Sequence, residues 1–465
     1  MNEKVLEKSV AYIKDWLRFR YERDEMPGYV AAVSYKGKII LNEAYGYANL
    51  ETKEKMTPDH IFRIASHSKT FTATAIMQLQ EQGKLRIDDY VADYLAWLGV
   101  HPDPRWHKVT IRQLLSHGAG VIRDGEDGSY WSLNRPFPSE AQLQTELSSA
   151  DLILDNNTAM KYSNYGYSLL GLVIQAVSGV AFNTYVVDNI IKPLHLKNTG
   201  PEYSDNISSP FVTGYTRRDY QKKRLPIAHI DTKGMSAATG FYSTTEDMCA
   251  YFHSHIVGTE TILGNESKKE MQRTQWQAKR TGFKEDYGLG FEIDYIGERR
   301  TFGHGGGFPG QITKTLCDPE DQLIVIVLSN GIDSWSGYIA KNILKVIDYF
   351  QSNSTKTAKH DMKRFEGRFI ALWSILDLVA MGDKMVTAYP NSWEPFEAAN
   401  ELSYIDDKTL KITKTDSFSS EGELVYFTYN SDGSIKSLTY AGDGTFMPEA
   451  DYLKSVSEKK SIRVE

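Results

Sequence analysis

Covalent chemistry is first suggested by a serine and a lysine three residues apart, Ser66 and Lys69. A serine hydroxyl is a weak nucleophile until a base takes its proton, and a lysine amine can be that base only when it is neutral. The surrounding residues predict an extended segment that enters a helix near Ser66, with Lys69 one turn further on the same face. A helix N-terminus favours a developing oxyanion and disfavours an extra cation. The pair therefore suits the Ser-x-x-Lys arrangement of serine acyl-transfer enzymes.

The four-residue pattern is not specific by itself. Ser457 and Lys460 repeat it in a polar tail near the C-terminus, where the sequence assigns it no function. Further groups along the chain must therefore decide whether the first pattern is a site.

A second candidate group is Tyr162 and Asn164, just before a predicted helix. A phenol held near the serine and lysine could act as general base or as the acid for the leaving group, and nearby cations would favour phenolate. The asparagine could hold the lysine or donate to a substrate amide. Simple packing is the alternative, because the chain has 28 tyrosines and the same pattern recurs at Tyr47 and Tyr389.

The third candidate group is His304 with the glycines that follow it, including Gly306 and Gly307. Successive glycines allow a strand edge to approach a substrate closely. A backbone N–H there, of Gly307, could pair with that of Ser66 as an oxyanion hole. The histidine could bind a substrate carboxylate or polarise the tyrosine. The alternative is a glycine-rich hairpin with a surface histidine.

Length and composition exclude several classes of function. A chain of 465 residues is expected to hold two or three domains. Its net charge of −7 gives no indication of nucleic-acid binding. Cys249 and Cys317 are not in metal-ligand spacing, so no metal site is expected; the sequence predicts core thiols, which could pair only if the fold brought them together. No cofactor is expected. It predicts no transmembrane helix. The first residues lack the apolar core of a secretory signal, which predicts a cytoplasmic protein, or a secreted or periplasmic one if a leader has been removed.

Local patterns predict a mixture of helices and antiparallel strands. Residues 3–23 carry an apolar stripe typical of a helix, and residues 29–41 indicate a β-hairpin. Residues 323–330 form an apolar run typical of a central strand, and residues 335–350 predict a helix. Residues 123–140 show no periodic pattern of apolar residues, which indicates a long surface loop. Such loops are often functional. This succession favours an α+β fold.

The C-terminal part of the chain differs in pattern from the rest. Residues 351–363 are polar and contain no large apolar residue except Met362, which predicts a linker. Beyond it, short strand-like segments alternate with turns, typical of an antiparallel sandwich or barrel. We therefore predict a catalytic domain over 1–355, followed by a linker and a small β-barrel domain over 356–465.

Taken together, the three motifs resemble those of the serine β-lactamase-related family. That family includes class C β-lactamases, penicillin-binding proteins, D-aminopeptidases and related esterases. One departure is the histidine at position 304, where many relatives carry lysine, which is more similar to the D-aminopeptidase-like branch. The resemblance covers about residues 5–350 and includes the stretches 109–117, 162–171, 191–199, 238–248 and 303–330.

The resemblance implies a central antiparallel sheet flanked by helices, with a second helical region and a lipocalin-like C-terminal barrel. It implies an acylated serine, a lysine and a tyrosine that share general-base and general-acid work, and an asparagine that positions lysine and substrate. The implied catalytic residues are Ser66, Lys69, Tyr162 and His304, and the implied substrate-binding and oxyanion residues are Asn164, Gly306 and Gly307.

The leading functional hypothesis is a serine hydrolase that works without metal or cofactor on small peptides, including those with D-residues, or on small esters. β-Lactamase or penicillin-binding carboxypeptidase activity is the first alternative. An acyltransferase and a non-catalytic binding protein on the same fold are the others. A small-molecule or peptide substrate is the expected partner, nucleic acid is not, and an oligomer is compatible with the sequence.

Overall fold

The computed structural model describes residues 1–204, 207, 210–219, 221–259, 261–277, 285–354, 359–415, 420–441 and 444–458. It divides into two compact units, Glu25–Lys341 and Met1–Asp24 with Asn342–Glu465. The predicted domain boundary at 355/356 falls on residues 355–358, outside the described residues, and stays a prediction.

The helices and strands are numbered in chain order. The helices are α1 (Glu3–Asp24), α2 (Ser68–Glu81), α3 (Ile111–Leu115), α4 (Glu140–Leu147), α5 (Asn164–Ser178), α6 (Phe182–Val186), α7 (Thr245–His253), α8 (Asn265–Gln272), α9 (Ser336–Asn353) and α10 (Glu449–Glu458). The strands are β1 (Gly28–Tyr35), β2 (Lys38–Asn49), β3 (Glu54–Lys55), β4 (Phe62–Arg63), β5 (Gly214–Tyr215), β6 (Pro226–Ile227), β7 (Tyr242–Ser243), β8 (Asp286–Tyr287), β9 (Glu292–Ile296), β10 (Arg299–Phe308), β11 (Gln311–Asp318), β12 (Leu323–Ser329), β13 (Gly367–Ile370), β14 (Ile375–Met381), β15 (Lys384–Ala388), β16 (Glu401–Asp406), β17 (Thr409–Lys414), β18 (Leu424–Tyr429), β19 (Ile435–Tyr440) and β20 (Thr445–Pro448).

An eight-stranded sheet runs through the unit Glu25–Lys341, in the order β3-β2-β1-β12-β11-β10-β9-β8. The predicted hairpin is confirmed as β1 paired with β2, and the predicted central strand as β12, which pairs antiparallel with β1 and β11. Every residue of β1 and β12 is buried, so both faces of the sheet centre are covered. The glycine-rich β10 lies on the other side of β11 and reaches the site.

Helix α2 is buried on every side. The sequence indicates a one-sided apolar stripe, but all residues from Ser68 to Leu79 are buried. This is tolerated because the hydroxyls of Thr70, Thr72 and Thr74 donate to backbone carbonyls, so the polar side chains on the other faces are satisfied. The lysine that follows Ser68 is therefore held away from water.

The C-terminal part of the other unit is a closed antiparallel barrel. Strands β13 to β20 pair in sequence order, and β20 closes on β13. Its interior is filled by a separate apolar core, so it is a packed barrel. The α+β fold with a β-lactamase-like sheet and a C-terminal barrel is thus confirmed. The core residues are Met362, Phe365, Phe369, Leu376, Leu378, Ala380, Met385, Leu402, Leu410, Ile412, Val425, Phe427, Leu438, Tyr440 and Phe446.

Within the described part of the chain, no single helix is long and apolar enough to cross a membrane. Helix α5 and the segment Phe182–Ile191 meet the criteria of length and composition only as a pair, with a bend of 78° between them. Most of α5 is buried inside its own unit.

Candidate active site

Ser66 lies in a tight turn between a short strand and helix α2. Strand β4 ends at Arg63, and Ala65–His67 form a single 3₁₀ turn before α2 begins. Ala65 has a φ of 50°. This left-handed conformation costs a residue with a Cβ about 1–3 kcal/mol. The Ser68 hydroxyl donates to the Ala65 carbonyl oxygen at 2.5 Å and stabilises the turn. As predicted, Ser66 precedes the helix, and it is partly exposed while its neighbours are buried.

The Lys69 amine contacts three oxygen atoms. Its Nζ lies 3.2 Å from Ser66 Oγ, 2.7 Å from Asn164 Oδ1 and 2.9 Å from the Ala238 carbonyl oxygen. Burial lowers the pKa of the Lys69 ammonium to about 7. A neutral amine has two hydrogens and one lone pair, so it can donate to Asn164 and Ala238 while it accepts from the serine. The contacts therefore fit a neutral lysine that acts as a base.

Tyr162 lies beside both groups. Its hydroxyl is hydrogen-bonded to the Ser66 side chain, and Lys69 Nζ lies 4.8 Å from the centre of its ring. Burial raises the pKa of Tyr162 above its ordinary value, although the hydrogen bond to Ser66 acts in the opposite direction. The phenol is therefore protonated at neutral pH and can donate a proton.

Asn164 is oriented by Asp124, a residue that the sequence did not single out. Asn164 Nδ2 donates to Asp124 Oδ1 at 2.7 Å, so the amide oxygen faces Lys69. The same carboxylate oxygen accepts from Trp131 Nε1 at 3.0 Å. Both residues belong to the 123–140 stretch, whose loop character was the only sequence signal.

We expect Asp124→Asn to shift the pH dependence of kcat/KM to lower pH. The negative charge of Asp124 raises the pKa of Lys69, so its removal lowers that pKa, while an asparagine oxygen still accepts from Asn164. Asp124→Ala also loses the acceptor, and we expect kcat to fall by about tenfold or more. A pH–rate profile measures both effects, with Asp127→Asn in the same loop as the matched control. An unchanged profile in both Asp124 variants contradicts this role.

His304 is buried, and both of its ring nitrogens have partners within the protein. Nε2 lies 3.1 Å from the Tyr287 hydroxyl, and Nδ1 lies 2.6 Å from the Gly305 carbonyl oxygen. The Tyr287 hydroxyl also lies 3.2 Å from His117 Nε2, and the Ser163 N–H donates to His117 Nδ1. These partners assign the tautomers, so Tyr287 accepts from His117 and donates to His304. Burial lowers the pKa of His304 to about 4, so the ring is neutral.

The end of β10 has an open edge toward the site. Among the described strands, β9 pairs with β10 only over residues 299–303. On that edge the Gly305 N–H donates to Glu292 Oε2 at 2.8 Å. Alternate peptide groups of a strand point the same way, so the Gly307 N–H also points to the open edge. The direction of the Gly307 N–H therefore suits a hydrogen-bond donor to the oxyanion.

Gly306 serves a different purpose from Gly307. A Cβ at Gly306 would lie 2.4 Å from the Ile64 carbonyl oxygen and 2.3 Å from Thr313 Oγ1. Only glycine allows β10 to pass so close to the turn that carries Ser66. At Gly307 the nearest atom to a Cβ is 3.7 Å away, so that position is open.

These elements surround a cavity of about 300 Å³ at Ser66. The structure brings the serine, lysine, tyrosine and asparagine of the prediction together, whereas His304 and Gly306 lie buried behind the cavity surface. Three of the lining residues were not predicted. The lining residues are Ser66, Arg123, Trp131, Tyr162, Asn164, Glu292 and Gly307.

Comparisons with known proteins identify a family for this chain. The sequence model of a family described as Beta-lactamase matches residues 13–342. Protein flp of Staphylococcus aureus strain N315 is 30% identical over 196 residues, which is 42% of this chain and 39% of that protein. The match thus spans less than half the length of that curated relative.

Solved structures of other proteins share the fold, and two of them match most of this chain. An octameric penicillin-binding protein homologue from Pyrococcus abyssi has a TM-score of 0.65 and 22% identity, covering 94% of this chain and 99% of its own. A D-stereospecific amidohydrolase from Streptomyces sp. has a TM-score of 0.61 and 24% identity, covering 73% of this chain and 97% of its own. At these identities the likeness concerns the fold.

Proposed function

The chain belongs to the beta-lactamase family of serine hydrolases, and from that premise we propose that it hydrolyses amide or ester carbonyls through an acyl-enzyme at Ser66. The observation that carries the proposal is the Lys69 amine, which lies 3.2 Å from Ser66 Oγ and has a pKa of about 7. Small peptides, including those with D-residues, and small esters are the proposed substrates. The fold shared with a D-stereospecific amidohydrolase supports that class.

In the acylation step, Lys69 Nζ accepts the Ser66 proton as Oγ forms a bond to the substrate carbonyl carbon. The carbonyl oxygen gains a negative charge, for which the N–H groups of Ser66 and Gly307 are the proposed donors. When this intermediate collapses, the bond to the leaving group breaks. Water then attacks the acyl-enzyme and releases the product and the free serine.

The leaving group needs a proton when its bond breaks. Tyr162 is hydrogen-bonded to the Ser66 side chain and stays protonated at neutral pH, so it can pass its proton to the leaving atom and regain one from Lys69. In this scheme Lys69 is the base and Tyr162 the acid. His304 acts as a positioning residue, because its two nitrogens are occupied by Tyr287 and Gly305.

β-Lactamase or penicillin-binding activity is the second candidate, and Arg123 is the residue that favours it. Its guanidinium lines the cavity and lies 5.9 Å from the Tyr162 ring centre. β-Lactams and D-Ala-D-Ala peptides carry a carboxylate that such a cation can bind. An acyltransferase differs only in accepting an alcohol in place of water.

An oligomer of this chain, such as the octamer of the archaeal structure, also stays a proposal.

A substrate panel tests the proposal. It contains nitrocefin, p-nitrophenyl esters, and D- and L-aminoacyl anilides, each with and without an added alcohol acceptor. We expect ester or D-aminoacyl turnover to exceed nitrocefin turnover. Faster nitrocefin turnover would favour the β-lactamase candidate, and transfer to the alcohol in preference to water would favour the acyltransferase. No acyl-enzyme with any of these compounds would favour the non-catalytic alternative.

We expect kcat/KM to rise with pH and to level off above the Lys69 pKa of about 7. Only the neutral amine can take the serine proton, so activity is lost as pH falls and Lys69 is protonated. A pH–rate profile with an ester that has no titratable group measures this rise of kcat/KM. Activity that instead falls as pH rises through neutrality would mean that the ammonium form is the active one.

A further inference from the structure

A carboxylate that neither the motifs nor the proposed mechanism uses lines the cavity. Glu292 is the first residue of β9 and pairs with Gly303 of β10 and Tyr287 of β8. It therefore stands where the open edge of β10 begins. Its side chain is 12% exposed, and it lines the same cavity as Ser66.

The two oxygens of this carboxylate have different surroundings. Oε2 accepts from the Gly305 N–H and from Lys314 Nζ, each at 2.8 Å. His304 Nδ1 lies 3.5 Å from Oε1, but that nitrogen donates its hydrogen to the Gly305 carbonyl oxygen. Over the described residues, no hydrogen bond to Oε1 is formed. One oxygen is thus engaged by the protein and the other is available to a ligand.

Glu292 is ionised. Burial acts against its charge, but the charge and hydrogen bond of the Lys314 ammonium hold the pKa of the carboxyl well below its ordinary value. Lys314 is shared, because its Nζ also lies 2.7 Å from Asp294 Oδ2. Lys341 Nζ lies 2.9 Å from Asp294 Oδ1 and 3.7 Å from Glu285 Oε1. Two ammonium groups are thus shared by three carboxylates, and the Glu292 charge is incompletely neutralised.

We propose that Glu292 Oε1 binds the α-ammonium of the residue whose carbonyl Ser66 attacks. The substrates are then amides and esters of amino acids or short peptides with a free amino terminus. This inference rests on the proposed function, because it needs the acylated carbonyl to lie at Ser66. It names the chemical group that the site recognises on the acyl side.

The spacing along β10 supports this assignment. The N–H groups of Gly305 and Gly307 are two residues apart on one strand edge, about 7 Å. Glu292 is bound at the first, and the second is the proposed oxyanion donor. The carboxylate and the proposed oxyanion position therefore lie on the same edge of β10, two residues apart.

A matched set of substrates tests the proposal on the unaltered protein. The set is D- and L-alanine p-nitroanilide, their N-acetyl forms, and propionyl p-nitroanilide, in which hydrogen replaces the amine. We expect kcat/KM for the better free-amine compound to exceed that of its N-acetyl and amine-free counterparts by about tenfold or more. Equal values, or a preference for the N-acetyl compounds, would overturn the proposal.

Variants then assign the preference to this carboxylate. We expect Glu292→Gln to reduce the free-amine to N-acetyl ratio by about tenfold or more, mainly through KM, and Glu292→Asp to retain part of it. Glu298→Gln is the matched control, because it removes an exposed carboxylate from the β9–β10 turn. We expect it to keep the free-amine to N-acetyl ratio of the unaltered protein. An unchanged ratio in folded Glu292→Gln, or in Glu292→Asp and Glu292→Ala if the first does not fold, means that the residue only holds the strand.

A serine-directed fluorophosphonate, which carries no amine, separates the two proposals. If Ser66 is labelled but the amine preference is absent, only the ammonium site fails. If Ser66 is not labelled, the proposed function fails and the ammonium site fails with it.

Discussion

Replacing Ser66 by alanine is expected to lower kcat/KM by at least about 10⁴-fold and to abolish labelling by a fluorophosphonate. The hydroxyl is the only side-chain nucleophile in the proposed mechanism, and alanine leaves Lys69 with no serine proton to accept. The side chain is partly exposed in a cavity, so its removal leaves little buried space behind. Mass spectrometry of the labelled protein, together with steady-state kinetics on an ester, measures both effects.

The chain provides its own control for this experiment. Ser457 begins a second Ser-x-x-Lys pattern with Lys460, and it is exposed in the polar tail. We expect Ser457→Ala to be labelled and to turn over substrate like the unaltered protein. Full labelling of Ser66→Ala at another residue would show that the nucleophile has been misassigned.

Replacing Lys69 by methionine is expected to lower kcat/KM by about 10²–10⁴-fold, the contribution typical of a general base. Methionine is similar in length but has no lone pair to take the serine proton. Lys69→Arg is expected to be equally impaired, because a guanidinium cannot be deprotonated in a protein. In both variants the rise of activity through pH 7 should disappear, which a change in packing alone would not produce.

Loss of the amine also leaves Asn164 Oδ1 and the Ala238 carbonyl without a buried donor, at a cost of about 1–3 kcal/mol in stability. Thermal unfolding separates that effect from the catalytic one. Lys84→Met, on an exposed residue just after the same helix, is the matched control. If Lys69→Met keeps the activity and the pH limb of the unaltered protein, another group is the base.

A substantial part of the architecture could be predicted from the sequence because it depends on neighbouring residues. Hairpin and apolar-run patterns predicted the β1–β2 hairpin and the central strand β12. The alternation of strands and turns beyond residue 364 predicted an antiparallel sandwich or barrel, and the structure is a barrel. The position of Ser66 just before a helix follows from local patterning in the same way. The family motifs, in their order along the chain, indicated which side chains to look for.

What only the tertiary structure decided is the state and setting of those side chains. The pKa of Lys69 depends on complete burial and on the charges of Asp124 and Glu292, which lie 55 and 223 residues away in the chain, and no local pattern encodes such contacts. Nor does a local pattern reveal Asp124, which orients Asn164 and belongs to a stretch with no periodic pattern of apolar residues.

Glu292 and His304 illustrate the difference most clearly. In the sequence, His304 belongs to one of the three motifs, whereas Glu292 belongs to none. In the folded chain the histidine is buried with both nitrogens occupied, while the glutamate lines the cavity beside Ser66. Residue types and spacing therefore indicated the kind of chemistry that we propose, because a serine and a lysine lie one helical turn apart. Charge, protonation and access depend on the surroundings of each group, which exist only when distant segments are packed together.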